Sequence, residues 1–465
     1  MIWAVSLAVI GLLVSRRPGL LVALAIASFV LIPGVARNVL TPYLHPGAYL
    51  VWAGVAGLVL FRRSWLRDAL SLSRGMLAAV GVFVAYALID ALNPGSHGLF
   101  SDAQSLTSFL LTPVIVAVVA RKAVADRPRL ARRLAGLFIL LGIAEVVLAQ
   151  RQNDSGEVLV WSDVYKSIWW WGQDDSIGRA IGTTGHGIQL SVFFAMTIAL
   201  APVIRSVLLR FAYVVACWAA LPWTNGRLGM ILAALTTAYL VLQSRRTPLR
   251  TVVFTVLAGA GIVISLESDA GQELLRKFND DGGSNQKRID ALKWGYAHWK
   301  EFLFAGYPGN RDVRGGGLLQ STLENGFLMA GMAFGLVFAF MLFMLYVVQL
   351  SRVFMANREA RMWAVAGAVG VGAFFGSSSF MADSLDGVTT WIILGVGLGL
   401  REKPKRRRSP ATQPAGSDPA VSDRGEAGPF AKTQAASANA SPKAAPQMFG
   451  GSPQHAGAGT VGTRS

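Results

Sequence analysis

The chain has 465 residues, of which 53% are hydrophobic and only 15% are charged. Soluble proteins carry about 25% charged residues, so this composition excludes an ordinary cytosolic enzyme. The lone cysteine, Cys217, excludes an intramolecular disulfide framework and a cysteine-based metal site. The 43 Lys and Arg residues outnumber the 26 Asp and Glu residues, which gives a net charge of +17. In a soluble protein this surplus would indicate nucleic acid, whereas in a membrane protein it marks cytoplasmic loops.

Apolar segments recur along the first 400 residues. Because about 20 mostly apolar residues cross the hydrocarbon core of a bilayer, the sequence predicts an all-α polytopic membrane protein with about 12–13 transmembrane helices. The first segment has arginines after its apolar run and lacks a small-residue cleavage site, so we interpret it as a retained span and not a signal peptide. The predicted spans lie near 2–14, 19–35, 47–61, 76–92, 103–120, 134–149, 187–204, 207–223, 228–243, 251–266, 326–349, 362–380 and 387–400.

The connections between these spans alternate in charge. One set is rich in basic residues, for example at 62–74, 121–133 and 245–250. The opposite set is poor in them, and 93–102 and 381–386 contain no Lys or Arg. Since cytoplasmic loops accumulate Lys and Arg, the pattern predicts an external N-terminus and a cytoplasmic C-terminus. The net charge therefore indicates orientation, and we expect no nucleic-acid partner.

Two predicted outer connections are long. The first, about 150–186, contains Trp161, Tyr165 and the tryptophans at 169–171, which would serve as an interfacial anchor or as a platform for sugar stacking. The second, about 267–322, has 8 basic and 8 acidic residues. Within it, 286–304 has the apolar spacing of an amphipathic helix that lies flat on the outer face. Its apolar positions are Ile289, Leu292, Tyr296, Trp299 and Leu303.

The last part of the chain has a different composition. Residues 401–465 are rich in Ala, Pro, Ser and Gly and have little apolar periodicity, so we expect a disordered basic cytoplasmic tail. We expect residues 1–400, with both long outer connections, to form one transmembrane domain. Signatures of soluble enzymes are missing, since the chain has no P-loop, dinucleotide fingerprint or zinc spacing. We interpret Asp280 and Asp281 as part of a solvated turn, so the sequence predicts no metal site.

Several ionisable residues lie where predicted spans meet the outer face. Arg179 precedes the segment before one span, Arg227 opens another, and Glu324 with Asn325 opens a third. Charge near membrane depth is costly and is usually retained for a pathway or a site. Because arginine guanidinium groups match phosphate geometry, arginines that converge with one carboxylate would suit a pyrophosphate group.

Four segments follow one another in a recognisable order. They are 179–186, RAIGTTGH; 225–227, NGR; 286–289, QKRI, with AGYPGN at 305–310; and 324–328, ENGFL, with Gly335 downstream. Together these segments resemble the motifs of the O-antigen ligase and polymerase family of bacterial membrane glycan enzymes. The resemblance in motifs covers roughly residues 175–340.

This resemblance implies a GT-C-like, multi-pass inverting glycosyltransferase in the bacterial cytoplasmic membrane, with an extracytoplasmic active site. The implied donor is an oligosaccharide on a polyprenyl pyrophosphate, the acceptor is a glycan or lipid, and no cofactor is implied. Arg227 and Arg288, with Arg179 as a weaker third, would bind the pyrophosphate. Glu324 would act as the general base on the acceptor hydroxyl, and Asn325 would orient it.

One position departs from the family pattern. Ligases of the family typically have histidine where this chain has Glu324, although a carboxylate can also accept a proton from a hydroxyl. The departure favours a polymerase slightly over a ligase and leaves His186 and His298 as secondary candidates for the base. The main rival interpretation is a flippase or transporter of lipid-linked glycans, in which the same arginines would line a translocation path. A non-catalytic assembly scaffold is a third interpretation.

Overall fold

A computed structural model describes residues 2–37, 39–41, 43–91, 99–166, 179–244, 284–307, 324–377 and 384–402, with four isolated positions between 259 and 276. These ranges contain helices, and no β-strand occurs in them. Most of the predicted span 251–266 and of the tail 401–465 lies outside the described residues.

The α-helices follow one another with short connections. We number them in chain order as α1 (Ile2–Val14), α2 (Pro18–Leu31), α3 (Pro46–Phe61), α4 (Arg63–Leu72), α5 (Arg74–Ala91), α6 (Leu99–Leu106), α7 (Thr112–Asp126), α8 (Arg129–Ser155), α9 (Ser162–Lys166), α10 (Gly187–Leu200), α11 (Val207–Ala220), α12 (Arg227–Ser244), α13 (Ser284–Ala297), α14 (Gly326–Phe334), α15 (Leu336–Phe354), α16 (Arg358–Ala373) and α17 (Leu385–Arg401). A short π-helix, Thr107–Leu111, joins α6 to α7.

Four helical segments of the described chain are long and apolar enough to cross a membrane. They are Ala103–Asp126, Arg129–Ser155, Val207–Thr224 and Leu336–Phe354. Other apolar helices of 10–17 residues are shorter: Ile2–Val14, Pro18–Leu31, Pro46–Phe61, Gly187–Val203 and Arg227–Gln243. The described fold is thus all-helical, with apolar helices that could span a membrane, whereas the count of 12–13 spans stays a prediction.

Two helices form the centre of the bundle. Every residue of α10 except Ile188 is buried, and α17 is buried from Leu385 to Leu400. Small residues let such helices approach closely, as in small-xxx-small packing between membrane helices. Gly395 and Gly399 of α17 lie directly against the α7 backbone at Ala117 and Arg121, where a side chain would collide.

The outward surface of the bundle carries large apolar side chains. Leu13, Leu140, Leu208 and Phe340 are each between 63 and 72% exposed. Monomeric soluble proteins rarely expose contiguous apolar patches larger than a few hundred Å². The exposed apolar positions on helices of spanning length are those expected to face lipid.

Two predictions about the elements are corrected. The predicted span 326–349 is interrupted at Gly335, where φ is +102° and the chain passes from α14 to α15. A Cβ at this position would lie 2.8 Å from the carbonyl carbon of Phe304, so the interruption requires glycine. The connection at 62–74 contains the helix α4, which is bent by 83° from α5, where we expected only a charged loop.

Candidate functional site

The segment 179–186 is held against α8 by two buried polar side chains. The Gln152 side-chain oxygen accepts hydrogen bonds from the backbone N–H groups of Ile181 at 3.0 Å and Gly182 at 2.8 Å, and its Nε2 donates to the Gly182 carbonyl at 3.1 Å. The Glu145 carboxylate accepts from the Thr183 N–H at 3.0 Å and from the Thr183 hydroxyl. These bonds give the segment a fixed shape deep in the bundle.

The glycines of this segment are required by its backbone. Gly182 has φ +58° and Gly185 has φ +95°, conformations that L residues with a side chain rarely adopt. A Cβ at Gly182 would collide with the Glu145 carboxylate. On the other side, Tyr165 is buried near Gly185, and burial raises the pKa of its hydroxyl. The Gly-Thr-Thr-Gly sequence therefore allows the loop to lie between α8 and Tyr165.

Arg179 and His186 contact each other at the two ends of this loop. The Arg179 Nη2 lies 2.7 Å from the His186 Nε2, and the His186 Nδ1 lies 3.2 Å from the Ile188 N–H at the start of α10. Burial, with a smaller contribution from the Arg179 charge, lowers the pKa of His186 to about 4. His186 is therefore neutral near pH 7, so one ring nitrogen, either Nε2 towards the guanidinium or Nδ1 towards Ile188, accepts a hydrogen bond while the other carries the proton.

The loop is joined to the start of α12. The Ala180 N–H donates to the Trp223 carbonyl at 2.7 Å, and a Cβ on Gly187 would collide with the Thr224 carbonyl. The chain then turns through Asn225, which has φ +55°, and α12 begins at the half-buried Arg227. Arg179 and Arg227 consequently lie on adjoining segments.

Glu324 precedes a capped helix on the same side of the bundle. The Asn325 Oδ1 accepts from the Leu328 N–H at 2.9 Å, and its Nδ2 donates to the Phe375 carbonyl at 3.4 Å. The Gly326 N–H donates to the Phe374 carbonyl at 2.7 Å. The neighbouring Gly376 adjoins Leu228 of α12, because its Cβ would lie 3.0 Å from Leu228 Cδ2. These contacts connect the Glu324 segment to the start of α12.

The structure brings Arg179 close to Glu324. Burial lowers the pKa of the Arg179 guanidinium, and the negative charge of Glu324 opposes that shift. Arg179, His186 and Glu324 are all half-buried, so part of each side chain is accessible. One cation, one neutral imidazole and one carboxylate from segments far apart in sequence thus form a polar group at one end of the bundle.

Two predicted residues belong to α13. Arg288 lies in this helix, but its side chain is outside the described residues. His298 stacks on Trp294, with ring centroids 4.7 Å apart, and its Nδ1 donates to the Trp294 carbonyl at 2.9 Å. The described residues record no contact of His298 with Arg179 or Glu324, so it lies with the aromatic residues and not with the polar group.

The helix predicted at 286–304 is present as α13, and it has apolar side chains on two faces. Ala291, Trp294 and Phe302 pack together against Met332 of α14. The predicted face at Ile289, Leu292, Tyr296 and Trp299 is instead exposed, and Tyr296 is 82% exposed. Leu303 is half-buried. The helix ends at Ala297 and is followed by a 3-10 turn, Trp299–Phe302.

Two aromatic residues of the predicted connection 150–186, Trp161 and Tyr165, have structural contacts. The Trp161 Nε1 donates to the Leu31 carbonyl at 2.8 Å, and its ring packs edge-on against Trp3 with centroids 5.8 Å apart. Tyr165 is fully buried, so it serves neither as an interfacial anchor nor as a sugar platform. The tryptophans at 169–171, together with Asp280 and Asp281, lie outside the described residues. Over the described ranges no group of three or more His, Cys, Asp or Glu side chains could hold a metal ion.

Sequence reasoning missed Glu145 and Gln152. Both lie in an apolar span seven positions apart, and an i, i+7 pair shares one helix face. A polar pair at membrane depth is a signal of internal partners, which would have indicated a buried contact.

The chain matches no protein-family model, no curated protein and no solved structure.

Proposed function

We propose that the chain is a membrane glycan transferase of the O-antigen ligase and polymerase type. It transfers or polymerises oligosaccharide from a polyprenyl-pyrophosphate donor onto a sugar hydroxyl at the outer face of the bacterial cytoplasmic membrane. The observation that carries the proposal is the electrostatic interaction of Glu324 with Arg179, more than 130 positions away in sequence. Arg179 itself contacts His186 at 2.7 Å. In this proposal the fold is GT-C-like, with 12–13 spans by the apolar-length criterion of about 20 residues for each.

The arginines bind the donor pyrophosphate. Guanidinium groups form paired, charge-assisted hydrogen bonds with phosphate oxygens. Arg227 and Arg288 are the principal ligands, and Arg179 is the third. Charge builds up on the pyrophosphate as the glycosidic bond to it breaks, so fixed cations at that position stabilise the transition state more than the bound substrate.

Glu324 takes the proton from the attacking hydroxyl. Asn325 then acts as a positioning residue, because both ends of its amide are engaged with backbone groups that fix the start of α14. His186 is the second candidate base, since it is neutral and, in the tautomer with the proton on Nδ1, its Nε2 becomes available if pyrophosphate displaces the Arg179 guanidinium.

The reaction is a direct displacement. The acceptor oxygen forms a bond to the anomeric carbon, the bond to the pyrophosphate oxygen breaks, and the configuration inverts. The lipid pyrophosphate is an activated leaving group, so no nucleotide takes part. The apolar outer surface of the helices accommodates the polyprenyl chain.

The test is glycan transfer by purified protein in lipid nanodiscs supplied with polyprenyl-pyrophosphate glycan. Glu324→Gln should lower the transfer rate at least about 100-fold, because general-base catalysis contributes that much. Arg227→Ala and Arg288→Ala should each lower the rate about 100-fold, as loss of one transition-state donor does.

Two exposed residues give matched controls. Glu359→Gln and Arg132→Ala remove the same charges from positions outside the polar group and should retain wild-type rates. Full activity of Glu324→Gln, Arg227→Ala and Arg288→Ala in folded protein would show that the site is misassigned.

A further inference from the structure

A cleft lined by arginines opens at the other end of α8. Its volume is about 800 Å³, and it lies between the α1–α2 turn, the α3–α4 junction and the α7–α8 turn. Arg129 at the start of α8 is separated from Glu145 by 16 residues, or about 24 Å at 1.5 Å per residue. The cleft is therefore distinct from the polar group at Glu324. Its arginines are Arg16, Arg17, Arg62, Arg127, Arg129 and Arg133.

The cleft has one carboxylate, and that carboxylate is engaged elsewhere. The Asp126 Oδ1 forms an ion pair with Lys122 Nζ at 2.6 Å, and its Oδ2 accepts from the Trp65 Nε1 at 2.7 Å. Among the described residues no ion pair joins a carboxylate to any of the six arginines. The cleft consequently has a strong positive potential.

Two helices begin at the cleft. α2 begins at Pro18 and α8 begins at Arg129, and neither start has a side-chain cap. Gly19 allows the two starts to meet, since a Cβ there would lie 3.0 Å from Leu130 Cδ2. The first turns are already bonded, since the Leu20 N–H donates to the Arg17 carbonyl and the Leu130 N–H donates to the Arg127 carbonyl. The arginine side chains are therefore the anion-binding groups of the cleft.

The cleft also has an apolar part. Leu20, Trp65 and Leu130 line it beside the arginines, and Leu20 is 41% exposed. The adjoining helix α4 turns by 83° from α5, as a helix at a membrane interface does. Trp side chains favour that same interfacial level. A cationic cleft with an apolar side suits an amphiphile better than a free phosphate ion.

We propose that this cleft binds the headgroup of an anionic phospholipid. The arginines bind the phosphate, and the acyl chains follow Leu20 and Leu130 into the bilayer. Basic pockets between membrane helices commonly bind anionic lipid headgroups in this way. The proposal does not depend on the transferase function.

The test compares two double variants of the full chain that lose the same charge. Arg129→Gln with Arg133→Gln removes two exposed arginines of α8 that line the cleft, whereas Arg67→Gln with Arg132→Gln removes one exposed arginine of α4 and one of α8 that do not line it. Binding of phosphatidylglycerol and of phosphatidylcholine is measured by native mass spectrometry on detergent-purified protein.

The cleft variant should bind phosphatidylglycerol at least about tenfold more weakly, because each arginine contributes about 1 kcal/mol. The control should bind as the wild type does.

A second pair, Arg17→Gln with Arg62→Gln, provides the same comparison if the first does not fold. Equal loss in cleft and control variants would overturn the proposal, because diffuse surface charge would then explain lipid binding. Binding of inorganic pyrophosphate as tight as that of phosphatidylglycerol would also overturn it, in favour of a soluble ligand.

Discussion

Arg179 lies between two acceptors of different kinds. It contacts the neutral imidazole of His186 and lies near the carboxylate of Glu324. A pyrophosphate that binds this guanidinium competes with both acceptors. Donor binding would therefore release the two groups best suited to accept a proton, which couples pyrophosphate recognition to base availability.

The buried histidines predict a loss of stability in acid. Burial lowers the pKa of His45 to about 4, opposed by the hydrogen bond of its Nε2 to the Ile32 carbonyl. Because this pKa is below the ordinary value of 6.5, the unfolded chain binds a proton first as the pH falls. The contribution of neutral His45 to the free energy of unfolding is complete above pH 6.5. It decreases as the pH falls towards 4, by about 3 kcal/mol in all. His186 adds a change of the same sign.

Thermal unfolding in detergent between pH 7 and pH 4.5 measures this effect. His45→Asn should show a smaller decrease of the melting temperature than the wild type, whereas His298→Asn should show the full decrease. Identical decreases in all three proteins would contradict the assignment to His45.

At the scale of single residues, the sequence predicted the ionisable groups at the outer ends of spans. It did not predict Glu145 and Gln152, the buried side chains that hold the 179–186 segment. Arg179, Arg227 and Glu324 each follow or open an apolar run, and that position is visible in the sequence. The partners of Glu145 and Gln152 are about 30 to 40 positions away in a segment without periodicity. Such a contact leaves no local pattern.

The docking of the 179–186 loop on α8 determines the geometry of the site. Glu145→Ala removes the acceptor of the buried Thr183 N–H, whereas the Thr183 hydroxyl keeps the Val30 carbonyl at 2.7 Å, so the variant should lower the free energy of unfolding by about 1–3 kcal/mol. A double-mutant cycle with Thr183→Val should give a coupling energy of about 1 kcal/mol or more. The exposed Glu157→Ala is the control and should cost little. Strict additivity of Glu145→Ala and Thr183→Val would rule out the contact.

The interruption between α14 and α15 depends on one glycine. Gly335→Ala should lower the free energy of unfolding by about 2 kcal/mol or more, because its φ of +102° suits glycine alone and the new Cβ would press on residues 304 and 305. In contrast, Gly136 lies on α8 with open space around it, so Gly136→Ala should be neutral or stabilising by up to about 1 kcal/mol. Denaturant unfolding of both variants checks this difference, and similar losses would contradict it.

Apolar run length predicted most helices at nearly their observed positions. The predicted spans 2–14, 47–61 and 228–243 correspond closely to α1, α3 and α12. The break at Gly335 was not predicted, because a glycine inside an apolar run resembles the many glycines that membrane helices tolerate. The helix α4 was not predicted either, because a charged segment between two apolar runs is also typical of a loop.

At the scale of the whole molecule, charge predicts the orientation. Because basic connections stay in the cytoplasm, Glu157 should face outward and Glu359 inward. Both are exposed, and the natural Cys217 is buried, so an introduced cysteine would react over a low background. An impermeant thiol reagent on intact cells should label Glu157→Cys and leave Glu359→Cys unlabelled. The reverse pattern would invert the proposed orientation.

In the proposed reaction this chain alone forms a glycosidic bond from a lipid pyrophosphate. The most direct measurement counts new glycosidic bonds and released polyprenyl pyrophosphate in sealed vesicles that contain only the purified protein, donor and acceptor. We expect equal amounts of both products from the wild type and neither from Glu324→Gln. Movement of intact lipid-linked glycan across the vesicle membrane, with no new bond, would contradict it and identify a flippase.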